Sequence, residues 1–377
     1  MALVIGPNLT KAENGKEKTI IKPVFLCAYF TSIFSLSPSL SPLFSSSLLT
    51  LCSQMVHNSL LEAVQFCDKY PYVFEKTEKQ PVAFKHDDAL LGQILPNVIS
   101  ALTEYNNSVS PSPFKIEPDL VTFANWVDTF DKRTEVMKIL ADTWRERKLF
   151  PVLEGWRNEL YPIYGHHDLA FVMERAATPL FGVSTFGCHL NAYVTDNEGK
   201  IHMWVARRAK TKPTWPGMLD NCVAGGISYQ YRIKDTIVKE CDEEASIPAE
   251  LASKARSTNV ISYYTFTDGG LQPETEYIFD LELPQDFKPT PKDGEVDCFY
   301  LWPLEKVKES ILNQEWKSNS ALGKQRKKKK KNKTNVFVVA IDFMIRHSYI
   351  TPDEEPDYIK ISYHLHRKLE FPTPIRK

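Results

Sequence analysis

No Cys-x-x-Cys pair occurs anywhere in this chain of 377 residues, and its seven cysteines (Cys27, Cys52, Cys67, Cys188, Cys222, Cys241, Cys298) are scattered and odd in number. That pattern speaks against a disulfide framework and against a cysteine zinc site, and it suits a reducing compartment such as the cytoplasm. Net charge is lacking too: 46 Lys and Arg face 47 Asp and Glu, which removes the global electrostatic case for a nucleic-acid binder. The longest largely apolar run, Val24 to Phe34 with the hydroxyl residues Thr31 and Ser32 inside it, is far short of the roughly 20 residues a membrane helix needs, and Pro38 and Pro42 follow it. A membrane span is therefore not expected. Acidic residues are absent between Lys18 and Leu61, where a Ser/Leu/Phe/Pro mixture follows four lysines. Residues 1–54 thus read as a low-complexity leader, either an organelle-targeting segment or a non-native extension ahead of Met55.

What remains has the makings of a packed protein, with 43% hydrophobic and 12% aromatic residues. Four segments are expected: the leader, a mainly helical small domain over 55–174, an α/β domain over 175–350 with a basic insertion at 323–335, and a C-terminal tail over 351–377. The helical expectation rests on Leu60, Leu61 and Val64, on Leu90, Leu91, Ile94, Leu95 and Val98, and on Phe123, Trp126, Val127 and Phe130. Trp144 and Trp156, flanked by Arg145 and Arg157, suit core packing, the commoner use of such residues, or stacking on a ligand.

From Phe181 the pattern turns to strands. Phe181 to Val194, the turn Asp196-Asn197-Glu198-Gly199 and Ile201 to Ala206 predict one hairpin, and Val260 to Phe266 with Glu276 to Leu283 a second. Val296 to Trp302 reads as a further strand and Pro303 to Leu312 as a helix. Hairpins with helices on their faces imply a mixed-sheet α/β sandwich rather than a doubly wound parallel sheet.

Between the hairpins one helix, about Asp235 to Ser246, carries Glu240, Glu243 and Glu244 at i, i+3 and i+4, so three carboxylates share a side. Ile237, Cys241 and Ala245 occupy the adjoining side and predict burial against a sheet. Three acids on one side repel one another, and Mg²⁺ or Mn²⁺ would compensate them through oxygen ligation. An acidic solvated face is the alternative for such a triplet in isolation. Its setting favours a site, because Arg207, Arg208, Lys210 and Lys212 stand just past a strand end, where they can meet a diphosphate while Trp215 stacks on an organic ring.

Gly225, thirteen intervening residues, and then Lys239-Glu240-Cys241-Asp242-Glu243-Glu244-Ala245-Ser246-Ile247 resemble the Nudix box, G-x5-E-x7-R-E-U-x-E-E-x-G-U. The chain departs from it at Tyr231 for the first Glu, Lys239 for Arg, Cys241 for an aliphatic residue and Ser246 for Gly, and Asp235 stands one turn before Lys239 as a partial replacement for the missing acid. The resemblance implies a Nudix-type α/β/α sandwich, with Glu240, Glu243 and Glu244 as metal ligands or base, Lys239 orienting them, and Gly225, with Gly226, as the turn that approaches phosphates. The segment Arg207 to Asp220, together with Glu154-Gly155-Trp156-Arg157-Asn158-Glu159, Phe181-Gly182-Val183 and Asp293-Gly294-Glu295-Val296, is similar to the thiamin pyrophosphokinase-related Nudix proteins, which carry a helical N-terminal domain. By that analogy Glu295 is a further base or metal ligand. The implied enzyme is a Mg²⁺- or Mn²⁺-dependent hydrolase acting on a small-molecule diphosphate, here damaged thiamin diphosphate. Two other readings stay open: an isopentenyl-diphosphate-isomerase-like enzyme with Cys222 as protonation partner, and an inactive Nudix-like binding module. The basic run Lys324 to Lys333 is expected to be a solvated insertion that interrupts no core element.

Overall fold

The computed structural model describes residues 57–72, 80–212, 215–267, 269–317 and 337–374. The leader and the basic insertion lie outside the described residues.

Short strands and two longer helices open the fold. Helix α1 (Leu60–Cys67) starts at Ser59, whose hydroxyl accepts from the Glu62 N–H at 3.1 Å. Strands β1 (Val82–His86) and β2 (Ala89–Ile94) pair antiparallel, and helix α2 (Pro96–Ser108) follows with proline in its first turn. Strands β3 (Phe114–Ile116) and β4 (Leu120–Phe123) complete a four-stranded sheet of order β2-β1-β4-β3. Helix α3 (Phe130–Glu146) precedes the hairpin of β5 (Leu160–Tyr164) and β6 (Leu169–Glu174), and a single turn, α4 (Thr178–Phe181), follows. These elements share one core, from Phe84 and Leu91 through Trp144 to Phe171 and Phe181.

This region is more mixed than the expected mainly helical domain. Leu90 to Val98 looks continuous by period, but the structure divides it at Pro96: the chain before the proline is a strand and the chain after it a helix, because proline is excluded from a helix interior yet welcome in its first turn. Trp144 is fully buried and stacks on Phe181 with centroids 5.8 Å apart, so it belongs to the core.

The larger half is built on a seven-stranded mixed sheet. Strand β7 (Thr185–Thr195) is its axis, pairing parallel with β12 (Gly270–Glu282) and antiparallel with β8 (Ile201–Arg208) and β10 (Val223–Gly226). Strand β11 (Arg256–Thr267) lies outside β12, β13 (Val296–Pro303) lies outside β8, and β9 (Leu219–Asp220) adds to β8. The β7–β8 turn forms as predicted: Gly199 has φ 81° and Asp196 Oδ1 accepts from the N–H groups of Glu198 and Lys200, each at 2.9 Å.

Helices cover both faces. On the near face helix α5 (Ile233–Ala245) and the single turn α6 (Ala249–Ala252) bury Ile237, Cys241, Ala245 and Ala252 against Cys188, Leu190 and Ala192 of β7. On the far face α7 (Leu304–Leu312), α8 (Phe337–Arg346) and α9 (Tyr358–Leu365) pack with α1 over Tyr193, Met203, Val205 and Ile278. The observed layers are therefore the α/β/α sandwich that the sequence implies.

Two boundaries differ from expectation. Helix α1 packs on the large sheet instead of with residues 80–174, and the segment expected to be a tail carries α9 and ends in a buried knot. There Asp68 accepts from Arg367 Nη1 at 2.8 Å and from the Tyr264 N–H at 3.1 Å, with His364 Nδ1 at 2.9 Å. Apolar one-turn spacing marks a helix but does not say which layer it joins. Among the described residues no helix is long and apolar enough to cross a membrane.

Candidate active site

Helix α5 reaches the site because its apolar stripe, Ile237, Cys241 and Ala245, is wholly buried on the sheet, which leaves Lys239, Glu240, Glu243 and Glu244 along the cleft. The helix ends in a left-handed residue, Ser246 with φ 53°, whose N–H donates to Asp242 O at 3.2 Å. This is the position where the Nudix pattern has glycine, the residue that adopts this conformation without a Cβ penalty. Ser246 Oγ donates to Thr290 O at 2.9 Å.

The three acids are held in different ways. Glu244 is 8% exposed and accepts the Ala224 N–H at 2.9 Å, tying α5 to β10. Lys239 Nζ bridges the other two, 3.2 Å from Glu240 Oε1 and 2.6 Å from Glu243 Oε2. Burial pushes the Glu244 carboxyl up to about 8 against the bond from Ala224, and burial likewise raises Glu240 against the pull of Lys239.

Gly225 and Gly226 line the cleft, but they belong to strand β10, paired with Cys188 and Gly187, and do not form the expected turn. Their role is close approach. A Cβ on Gly225 would lie 2.4 Å from Glu240 Cγ, and one on Gly226 would lie 1.6 Å from the Tyr161 hydroxyl oxygen. A β-bonded glycine pair thus lets helix α5 and the β5–β6 hairpin sit against the sheet.

The basic segment divides by strand alternation. Arg208 points into the cleft and pairs with Asp220 at 2.9 Å, whereas Arg207 points away, donating to Tyr300 Oη at 3.0 Å and Gly217 O at 2.8 Å. Lys212 and Trp215 line the cleft and Lys210 is exposed outside it. Glu295 also lines the cleft, paired with Lys212. Burial would raise its carboxyl, but Lys212, with Arg208 and Arg157 nearby, holds it below the usual carboxylate range.

Three tyrosines of strands β11 and β12 that could have added aromatic surface, and two residues singled out by their motif positions, fall elsewhere. Tyr264 stacks on Tyr70 with centroids 3.8 Å apart, Tyr277 packs against the near-face core, and Tyr263 donates to Glu274 Oε2 at 2.8 Å from a buried position. None of the three lines the cleft among the described residues. Cys222 is 1% exposed in the near-face core, and Asp235 is exposed outside the cleft.

The structure adds a wall that motif reading missed. Arg157, Glu159, Tyr161 and Arg175, from the chain preceding the large sheet, join the α5 acids in lining a cleft of about 340 Å³, and Gln272, Glu274, Asp293 and Lys317 complete it. Burial and the neighbouring Glu276 push the Glu274 carboxyl up to about 7. Arg157 and Glu159 stand in a stretch quoted above for its resemblance, which was the available signal. Tyr161 and Arg175 had none.

The donor chemistry suits a hard divalent cation, since Glu240, Glu243, Glu244 and Glu295 offer oxygen ligands and two of them carry raised pKa values from under-compensated burial. As they stand, Lys239 occupies the place between Glu240 and Glu243, and among the described residues no three acidic, His or Cys side chains converge closely enough to hold a metal ion.

A mixed α/β/α sandwich that aims a Lys-Glu-x-x-Glu-Glu helix at a cleft of arginines and lysines has the architecture of a Nudix enzyme. A family model described as NUDIX domain matches residues 189–321, and one described as a domain of unknown function, DUF4743, matches residues 59–185. The Arabidopsis thaliana proteins Nudix hydrolase 20, chloroplastic, and Nudix hydrolase 24, chloroplastic, are 33% and 32% identical to the chain, covering 72% and 74% of it and 69% and 71% of their own lengths. An uncharacterized Saccharomyces cerevisiae protein, YJR142W, is 32% identical over 84% of this chain and 92% of its own. The chain belongs to the Nudix hydrolase family.

Proposed function

We propose that the enzyme cleaves the diphosphate bond of a small organic diphosphate with the help of Mg²⁺ or Mn²⁺, and that its substrate is thiamin diphosphate, above all its oxidised or damaged forms, yielding the monophosphate and phosphate. The observation that carries the reading is the α5 acid cluster facing a wall of arginine and lysine across one cleft. Glu240, Glu243 and Glu244 would hold the cation, which when bound polarises phosphorus and neutralises developing charge. Glu295, ionised beside Lys212, is the acceptor for the proton of the attacking water. Lys239 keeps Glu240 and Glu243 aligned, while Arg208 and Lys317 meet phosphate oxygens.

Trp215 supports an aromatic organic group, standing at the cleft that Tyr161 also lines. Intact thiamin carries a thiazolium cation that its oxidised form lacks, and a cationic side chain at the ring site disfavours that cation. Lys212 lies within the cleft and can supply this charge, whereas the exposed Lys210 cannot. An isomerase reading loses its protonation partner, because Cys222 is buried in the core and burial pushes its thiol well above the ordinary value.

The test is phosphate release over a panel of diphosphates with Mg²⁺ or Mn²⁺. The oxo form of thiamin diphosphate should show the highest kcat/KM. If the intact cofactor equals it, or nucleotide sugars exceed both, the substrate is misassigned while hydrolysis stands. Absence of metal-dependent turnover on every diphosphate would favour the binding-module reading.

A further inference from the structure

Six cationic side chains line the cleft among the described residues, and five of them have a carboxylate partner. Arg208 and Lys317 share Asp220, Lys239 bridges Glu240 and Glu243, Lys212 meets Glu295, and Arg175 meets Glu159 at 3.0 Å. Arg157 is the exception: among the described residues no hydrogen bond or ion pair engages its guanidinium, and it is exposed at the cleft.

Its backbone, by contrast, is firmly held. The buried carboxylate of Glu174, 5% exposed, accepts the Arg157 N–H at 2.9 Å and the Ala176 N–H at 3.2 Å with the same oxygen. The next residue, Asn158, takes a left-handed conformation with φ 56° and its side chain accepts from Trp156 Nε1 at 2.9 Å, while the Arg175 N–H donates to Glu159 O at 2.8 Å. A turn tied down through its Arg157 N–H and its Glu159 carbonyl, braced internally by Trp156 and Asn158, and presenting one unpaired guanidinium is a way to fix where a charge stands without spending that charge internally. The wall it belongs to is seated on the large sheet by Tyr161, whose hydroxyl lies over Gly226.

We infer that Arg157, from the domain preceding the Nudix fold, recognises the diphosphate anion and makes that domain a structural half of the substrate site. A planar guanidinium can engage two phosphate oxygens at once, and this one need not first break an internal ion pair, unlike every other cation of the cleft. The inference rests on the reading that the cleft takes a diphosphate. It assigns Arg157 to recognition, and Glu174 to positioning it.

Isothermal titration of the full chain with inorganic diphosphate, without added metal, tests it. R157Q should bind at least tenfold more weakly, about 1.4 kcal/mol, and R157K should fall between, because an ammonium cannot engage two oxygens in one plane. R147Q, which removes an exposed ion pair to Glu104 outside the cleft, should match wild type. On any diphosphate that is turned over, R157Q should raise KM at least tenfold and move kcat less than threefold, a split that general loss of structure would not produce. If R157Q binds within twofold of wild type, or wild type shows no diphosphate binding at millimolar concentration, the inference is overturned. Arg157-dependent binding with no turnover by wild type would instead overturn the hydrolase substrate assignment and leave Arg157 in its role.

Discussion

On the far face of the large sheet Asp280 is 4% exposed, and although burial opposes ionisation, bonds from His347, Arg346 and Asn191 pull its carboxyl down to about 2. On the near face Glu244 is 8% exposed with one backbone N–H for a partner, and burial lifts it to about 8. The same sheet thus buries one acid with its charge matched and another with its charge outstanding. The difference teaches where work is done. A structural face satisfies its ions internally, and a site withholds compensation that a ligand must bring. The Asp68–Arg367 knot repeats the far-face pattern, and the unpaired Arg157 is its counterpart across the cleft.

Breaking the matched side should cost the most stability. Asp68→Ala leaves Arg367 buried without its carboxylate and should destabilise by about 3–5 kcal/mol, read as a lowered urea midpoint with turnover retained in the fraction that stays folded. An unchanged midpoint would mean the knot holds nothing together. Breaking the unmatched side should instead cost activity. Glu243→Gln and Glu244→Gln should each lower kcat at least a hundredfold, about 2.7 kcal/mol, with no loss of thermal stability. Near-normal turnover by both folded variants would remove α5 from the chemistry.

Acid titration separates the faces without mutation. Asp280 has a folded value of about 2 against 3.8 unfolded, so its contribution is present above pH 3.8 and is lost as pH falls towards 2, about 2 kcal/mol in all. Glu244 has the opposite sign: its folded value of about 8 lies above the ordinary 4.5, so metal-free stability declines as pH rises between those values. Unfolding free energies from pH 2 to 9 for wild type, Asp280→Asn and Glu244→Gln should lose the acid slope in the first variant and flatten the upper slope in the second. Equal profiles for all three would erase the contrast.

The smallest effect belongs to the helix end. Ser246→Gly relieves a left-handed residue, worth about 1 kcal/mol, but deletes the bond to Thr290, worth a similar amount. A melting temperature within a few degrees of wild type and unchanged kcat are expected. A large loss of either would show that the serine hydroxyl, and not the backbone turn, holds the end of α5.

What the sequence determined by itself was local and periodic. Helix α5, its three acids and its buried stripe were legible because an i, i+3, i+4 pattern is complete within thirteen residues, and the β7–β8 hairpin because one turn announces itself. Only the tertiary structure decided which of those residues line the cleft. Strand alternation sent Arg207 away from the cleft and Arg208 into it, and β10 turned an expected glycine loop into a paired strand against which a helix and a hairpin could lie. Arg157 and Tyr161 are more than sixty residues from Gly226 in the chain, and Asp68 and Arg367 are separated by 299 positions. Such pairings obey no period: they depend on which faces pack together, and charge matching is decided there, by neighbours that sequence order does not name.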